Sequence, residues 1–299
     1  MSQTSAVEKV LLDTDIGTDI DDAVCLAYLL ANPRCELLGI TTVSGEALQR
    51  ARMASVLCRI AEQDVPIFPG REKPLVRGRW YQPRAPQAEK LDRWPHQHDF
   101  PSGQAVAHMS RTIRENPGEV SLLAIGAMTN VAALFAADPE AASLLKRLVL
   151  MCGVFTNRLP KVGPLEWNAI QDRTATAIVY EQQVAVHRSI GLDVTCQVTL
   201  PKDEVRERFR TPLLEPVLDF AEVWFDGGSD LIVFHDPLAA TTLFDDAICG
   251  FRRGKVRVEL ESQTVPGMTH FERDEEGPHE VALKVEPQRF FEHFFAQFS

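Results

Sequence analysis

No stretch of the 299 residues is apolar for long enough to cross a membrane as a helix. The longest unbroken run, residues 23–31, is about half of the ~20 residues that such a span needs. The first ten residues, MSQTSAVEKV, lack a basic start followed by an apolar core, so a secretory signal is not expected. Cations are the scarcer charge: 31 Lys and Arg stand against 42 Asp and Glu, a formal net charge of −11. A surface of that sign repels phosphate backbones and anionic headgroups, which excludes nonspecific nucleic-acid and membrane binding. The cysteines, Cys25, Cys35, Cys58, Cys152, Cys196 and Cys249, contain no C-x-x-C pair, and most lie in apolar runs. With no signal peptide and a long chain, a disulfide framework is not expected, and all six read as reduced, buried and cytoplasmic. Internal repeats are absent, as is any linker rich in Gly, Pro or Ser. Hydrophobic residues at 45% and charged residues at 24% exclude a disordered or fibrous chain. One domain over residues 1–299, with insertions, is expected.

What is present is an alternation of short apolar runs and helical patterns, the signature of a mostly parallel sheet flanked by helices in an α/β, Rossmann-like domain. Residues 10–12, 36–43, 65–68, 120–125 and 148–151 read as strands, and their near-continuous apolar character implies burial on both faces. Helices are expected over residues 22–31, 47–61 and 129–137, and residues 202–233 look mainly helical with a break at Gly227-Gly228. Residues 256–261 and 281–285 read as late strands, and residues 287–298 as a closing helix rich in Phe. Between residues 71 and 101 the pattern breaks down into Pro, Arg and aromatic residues, including Trp80, Tyr81, Trp94, His96 and His98. A loop of that length in a compact domain is usually functional, so a lid or a subunit contact is expected.

The strongest chemical signal is DTDIGTDIDDA, residues 13–23, between the first strand and the first helix. Asp13, Asp15, Asp19, Asp21 and Asp22 fall within ten positions. Ligand sites of open α/β sheets lie at the carboxyl ends of strands. One or two aspartates there would merely complement a helix dipole. Five repel one another unless a cation compensates, and oxygen-only ligands on a flexible loop favour Ca²⁺ over Mg²⁺. An EF-hand loop starting at Asp13 is excluded, because its sixth and twelfth positions are Thr18 and Val24. A D-x-D-x-T/V phosphatase of the haloacid dehalogenase type is weakened by Gly17 at the fifth position.

This segment resembles the D-T-D-P-G-x-D-D-A signature of the inosine-uridine preferring nucleoside hydrolases, with Ile16 in place of proline and two extra residues before the aspartate pair. ITTVSG (residues 40–45), IGAMTN (125–130), EWN (166–168) and HDP (235–237) resemble further elements of that family in the same order. The resemblance implies the nucleoside hydrolase fold and a Ca²⁺-dependent enzyme that cleaves the N-glycosidic bond of ribonucleosides, giving ribose and free base. It assigns Asp15, Asp22, the Ile125 carbonyl and Asp236 to the metal, and Asp15 also as general base. Asp21, Glu166, Asn168 and Asp236 fall to the ribose hydroxyls, with Met151 packing against the sugar and His235 acting on the leaving base. Carboxylates near the ring suit an oxocarbenium-like transition state.

Other positions depart from the family. A second ribose-binding asparagine is replaced by Pro160, for which nearby Asn157 is taken as the substitute. Glu46 would touch the ribose or cap a helix. Asp13 is expected to hold the loop rather than the metal, and Asp19 to be solvated. His96 and His98 read as closing over the base or as plain surface, and Trp224 or Phe225 as stacking on the base or packing in the core. Assembly as a homodimer or homotetramer is implied by the resemblance alone. Two other functions compete: a Mg²⁺-dependent phosphatase with Asp13 as nucleophile, and a noncatalytic ribose- or nucleoside-binding protein. No Gly-rich or Lys-containing phosphate cradle supports the phosphatase.

Overall fold

The computed structural model describes residues 7–298, so most of the segment in which a signal was sought lies outside the described residues. Eleven strands are present among them: β1 (Glu8–Thr14), β2 (Cys35–Thr42), β3 (Ile67–Pro69), β4 (Val120–Ala124), β5 (Arg147–Met151), β6 (His187–Ile190), β7 (Thr199–Pro201), β8 (Leu231–Val233), β9 (Cys249–Val258), β10 (Thr269–Arg273) and β11 (His279–Val285). Nine form one sheet in the order β10-β9-β11-β6-β5-β4-β1-β2-β3, while β7 and β8 pair separately. From β11 to β3 all neighbours are parallel; β9 and β10 extend the sheet antiparallel.

Chain order explains where a site must lie. From β1 the chain winds outward through β2 to β3, then returns to β4 on the other side of β1 and winds the opposite way. The connections after β1 and β4 therefore part from each other and open a crevice at the carboxyl ends of the strands. The acidic loop leaves β1 at this switch point, and Ile125 leaves β4 beside it.

Parallel strands are buried on both faces, and β4 is buried throughout. The helix Asp21–Ala31 is apolar nearly all round because it lies between the sheet and the helix His235–Thr241. The stretch expected to be helical up to residue 233 instead ends in β8, because the Gly227-Gly228 break is followed by LIV, whose Leu231 and Val233 pair with β7. Strand β6 escapes a search for apolar runs since His187, Arg188 and Ser189 precede Ile190, yet all four are buried. The helix Ala105–Glu115 and strand β10 likewise carry too many polar residues to stand out. The cysteines are all free, and no helix among the described residues is long and apolar enough to cross a membrane.

Residues 71–101 hold a single short 3-10 helix, Pro86–Arg93, and otherwise run as an ordered strap. The Gln82 carbonyl accepts the Gly45 amide at 2.9 Å, and the Gln87 amide donates to the Gly17 carbonyl at 3.1 Å. Trp94 Nε1 donates to Asp219 at 2.9 Å, fastening the strap to the helix Glu215–Asp226. His96 and His98 lie with their ring centroids 4.6 Å apart, and neither lines the crevice.

At the start of β6, His187 is 1% exposed, stacks on Tyr180, and has no partner for either ring nitrogen. Burial pushes its pKa down to about 3. The folded state therefore excludes the imidazolium, whereas the unfolded chain protonates below about pH 6.5. This contribution is complete above that pH and is lost as pH falls, amounting to about 2 kcal/mol at pH 5. His187→Phe keeps the stacked ring and removes the proton site. Urea unfolding at pH 7 and pH 5 should show a smaller acid loss in the variant than in the parent; equal losses would clear His187 of the effect.

Candidate functional site

The loop of residues 15–20 leads from β1 into the helix Asp21–Ala31, and its shape is held from outside. Gly17 has φ 120°, and a Cβ there would come within 2.9 Å of Ala85 and Met53, so only glycine fits. Thr14 Oγ1 accepts the Ile16 amide at 3.1 Å and donates to Asp22 at 2.5 Å. Arg50, on the helix Ala47–Ile60, is completely buried. Its guanidinium donates to the carbonyls of Asp15 and Ile16 and to Thr18 Oγ1; Nε reaches the Gly45 carbonyl and Nη2 the Arg84 carbonyl, each at 2.8 Å. One cation thus ties the acidic loop, the turn after β2 and the strap together.

Above this loop opens a cavity of about 460 Å³. Asp15, Asp19, Asp21, Asp22, Glu166 and Asp236 line it, and no Lys or Arg does. The oxygens of buried Asp21, Asp22 and Asp236 lie within 4.8 Å of one another. Desolvation, then mutual repulsion, raises all three carboxyls well above their ordinary range. Buried oxygen donors converging this closely fit a hard divalent cation, which would remove both penalties. Asp15 falls outside that group: its Oδ2 accepts from Gln171 Nε2 at 3.3 Å and from Ser44 Oγ at 3.5 Å. Burial also raises the Asp15 carboxyl, with Arg50 opposing. A Cβ on Gly126 would lie 2.8 Å from Asp15 Oδ1, so the turn after β4 can pass this close only as glycine.

Glu166 caps the helix Trp167–Gln171, accepting the amides of Gly153, Asn168 and Ala169 at 2.7–2.9 Å. Asn168 Nδ2 donates to the Ile125 carbonyl at 2.8 Å and to the Met151 carbonyl at 3.1 Å, drawing the ends of β4 and β5 together. His235 Nδ1 meets Thr195 Oγ1 at 2.7 Å, and burial pushes the imidazole pKa down to about 4.

The cavity therefore gathers Asp15, Asp21, Asp22, Ile125, Met151, Glu166, Asn168, His235 and Asp236, all of which were singled out in the sequence. Asn157 is not brought here. Asp193 holds the Phe155 amide at 2.7 Å and the Thr156 hydroxyl at 2.5 Å, turning the next residue outward, so Asn157 is exposed beside a different cavity. Asp19 is not merely solvated: it lines the cavity, accepts the Ile20 amide at 2.6 Å, and has its pKa raised to about 6 by burial. Glu46 neither lines the cavity nor caps its helix; it accepts the Ala85 amide at 2.8 Å and fastens the strap. Trp224 lines the cavity while Phe225 packs in the core. Asp13 is fully buried away from the cavity, bonded by Thr41 at 2.5 Å and Asn130 at 2.8 Å, with its pKa raised to about 7 by burial. It cannot meet a phosphoester as a nucleophile. Thr14, Ser44, Arg50, Gln171 and Thr195 gave no chemical signal in the sequence. Of these, Thr14 and Ser44 lay inside quoted motifs.

Fold and cavity together define a hydrolase-type site of carboxylates and one imidazole, suited to a neutral hydroxyl-bearing substrate and hostile to phosphate. The sequence profile described as inosine-uridine preferring nucleoside hydrolase matches residues 10–292. The chain belongs to that family: it is a metal-dependent enzyme that hydrolyses the N-glycosidic bond of ribonucleosides. Among its relatives, the inosine-uridine preferring nucleoside hydrolase of Leishmania major is 29% identical, over 95% of each chain. The pyrimidine-specific ribonucleoside hydrolase RihA of Salmonella paratyphi B is 30% identical, over 87% of each. In three dimensions the purine-preferring ribonucleoside hydrolase of Gardnerella vaginalis shares the fold at TM-score 0.81 and 23% identity, covering 97% of this chain and 98% of its own. Neither the phosphatase reading nor that of a noncatalytic binding protein finds support in these likenesses.

Arg50→Met would leave the Asp15, Ile16 and Gly45 carbonyls without the donor they have in the clasp, and the nearby carboxylates without their one buried cation. Removing one partner from such a buried set costs about 3–5 kcal/mol. Urea unfolding of the variant should show a loss of that order; a loss within experimental error would mean that the clasp does not support the loop.

Proposed function

We propose that the enzyme is Ca²⁺-dependent and that Asp15 acts as general base and His235 as the group assisting the leaving base. The carrying observation is the convergence of Asp15, the Asp21–Asp22–Asp236 carboxylates, Asn168 and His235 on one cavity at the sheet switch point. Asp22 and Asp236, which both motif and geometry bring together, would hold the ion with Asp15 and the Ile125 carbonyl; Asp21 lies close enough to share in it. When bound, a divalent cation supplies charge compensation for these acids and lowers the pKa of water that it holds.

The chain's own groups perform the remaining tasks. Asp15 is oriented by Ser44 and Gln171, and a carboxylate of raised pKa is the better proton acceptor. Asp21, Glu166, Asn168 and Asp236 would receive the ribose hydroxyls, with Met151 against the sugar. Their charge stabilises a ribosyl group that becomes cationic as the bond to the base breaks. Trp224 and the half-exposed Trp167 border the mouth, where a flat base would lie between apolar faces. Burial keeps His235 neutral at pH 7. With the Thr195 hydroxyl donating to Nδ1, the neutral imidazole would carry its proton on Nε2 and donate a hydrogen bond to the base as it departs. A cytoplasmic location and assembly as a homodimer or homotetramer belong to the same reading, on the resemblance alone.

Incubation with uridine or inosine should release ribose and free base and no phosphate. Exhaustive chelation should stop the release, Ca²⁺ should restore it, and the chelated protein should melt at a lower temperature because it has lost a ligand specific to the folded state. Full turnover by protein shown to be metal-free by elemental analysis would remove the ion from this reading.

His235→Ala tests the leaving-group role. On uridine or inosine kcat should fall by about 10²–10⁴-fold, the range of general acid–base assistance. On p-nitrophenyl riboside, whose phenolate departs without a proton, the rate should stay near that of the parent. Equal losses on both substrates would assign His235 to support of Asp236 instead.

A further inference from the structure

We propose that a second groove, built on the antiparallel end of the sheet, binds a phosphorylated nucleoside, a ligand that the carboxylate cavity turns away. The groove encloses about 470 Å³ and shares no lining residue with the catalytic cavity. Arg252 from β9, Arg273 from β10, Lys284 from β11 and Arg158 from the segment after β5 surround Phe155 and Phe271. No carboxylate lines it, although the whole chain carries a formal charge of −11.

These cations are poorly compensated by the protein. Among the described residues the side chains of Arg158 and Lys284 have no ion pair or hydrogen bond. Arg252 Nη1 meets only the Phe251 carbonyl, at 2.8 Å, and Arg273 reaches Glu275 at 3.3 Å, where both are exposed. Four like charges around one groove repel one another until an anion enters. Guanidinium forks match phosphate oxygens two at a time, and the lysine adds a point charge.

The floor selects what carries the phosphate. Phe155 and Phe271 stand edge to face with centroids 6.2 Å apart, beside Leu283. An inorganic anion has no use for these rings, whereas a nucleobase buries a flat apolar face on the partly exposed Phe271, which the core-packed Phe155 backs. The volume lies in the range of small-molecule sites. Charge then sorts two related ligands: the neutral nucleoside goes to the six acids of the catalytic cavity, and its phosphorylated form to the four cations here. The inference goes beyond the proposed function and does not depend on it, since binding is read without turnover.

The test is isothermal titration of the full chain with uridine 5′-monophosphate at about 50 mM salt, where screening is weak. One site per chain is expected, weakening as salt is raised. Inorganic phosphate and ribose 5-phosphate should bind at least about tenfold more weakly, because they lack the ring. Arg252→Glu combined with Lys284→Glu should weaken the nucleotide by about tenfold or more while melting temperature and uridine hydrolysis stay unchanged. Should that pair disturb folding, the single neutral variant Lys284→Gln should still lower affinity and flatten the salt dependence. Glu166→Gln, in the catalytic cavity, should leave nucleotide binding intact. The proposal falls if no binding is detected, if phosphate alone binds as tightly as the nucleotide, or if Glu166→Gln abolishes binding while the charge reversal does not.

Discussion

Concentrated negative charge inside a folded chain is the constraint from which the rest of this structure follows. Asp13, Asp15, Asp21, Asp22 and Asp236 are all buried at the point where the sheet reverses its winding, and desolvation raises each carboxyl. Such a cluster survives only if something offsets it. Asp13 is bonded by Thr41 and Asn130, Asp22 by Thr14, and Arg50 lends its charge from behind the loop. The remaining deficit lies among Asp21, Asp22 and Asp236, where a cation belongs.

The same economy links elements that are far apart in sequence. Arg50 uses Nη1 on the acidic loop, Nε on Gly45 and Nη2 on Arg84, so the strap cannot move independently of the loop. Asn168 pulls the ends of β4 and β5 together through the Ile125 and Met151 carbonyls, while Glu166 caps the short helix that carries it. Asp193 and Thr195 sit on one turn of helix, Leu192–Thr195: one holds the backbone beyond β5 and the other holds His235. The cavity side chains are thus held partly by groups outside the cavity, such as Arg50, Asp193 and Thr195, and partly by their own bonds to the backbone, as with Glu166 and Asn168.

Much of the fold was legible because parallel strands are buried on both faces. Runs such as LLAI and LVLM leave no other reading, and the first helix, apolar nearly all round, had to be internal. The unread elements were those whose interior is polar. Strand β6 hides behind His187, Arg188 and Ser189, which local composition assigns to the surface and which the fold buries. Glu46 fell outside its expected roles for a related reason: its left-handed backbone at the start of a helix turns the carboxylate toward the Ala85 amide.

By itself the sequence determined the alternation of strand and helix, the place of the acidic loop after the first strand, and the order of motifs that marks the family. These depend on local periodicity and on residue types, which are written along the chain. Tertiary structure alone decided which acids share a ligand-sized space, that Asn157 is turned outward by Asp193, and that Arg50 is the buried counter-charge. Each of those outcomes depends on distances between residues remote in sequence, and on the loss of water that makes a charge costly only after the chain has closed around it.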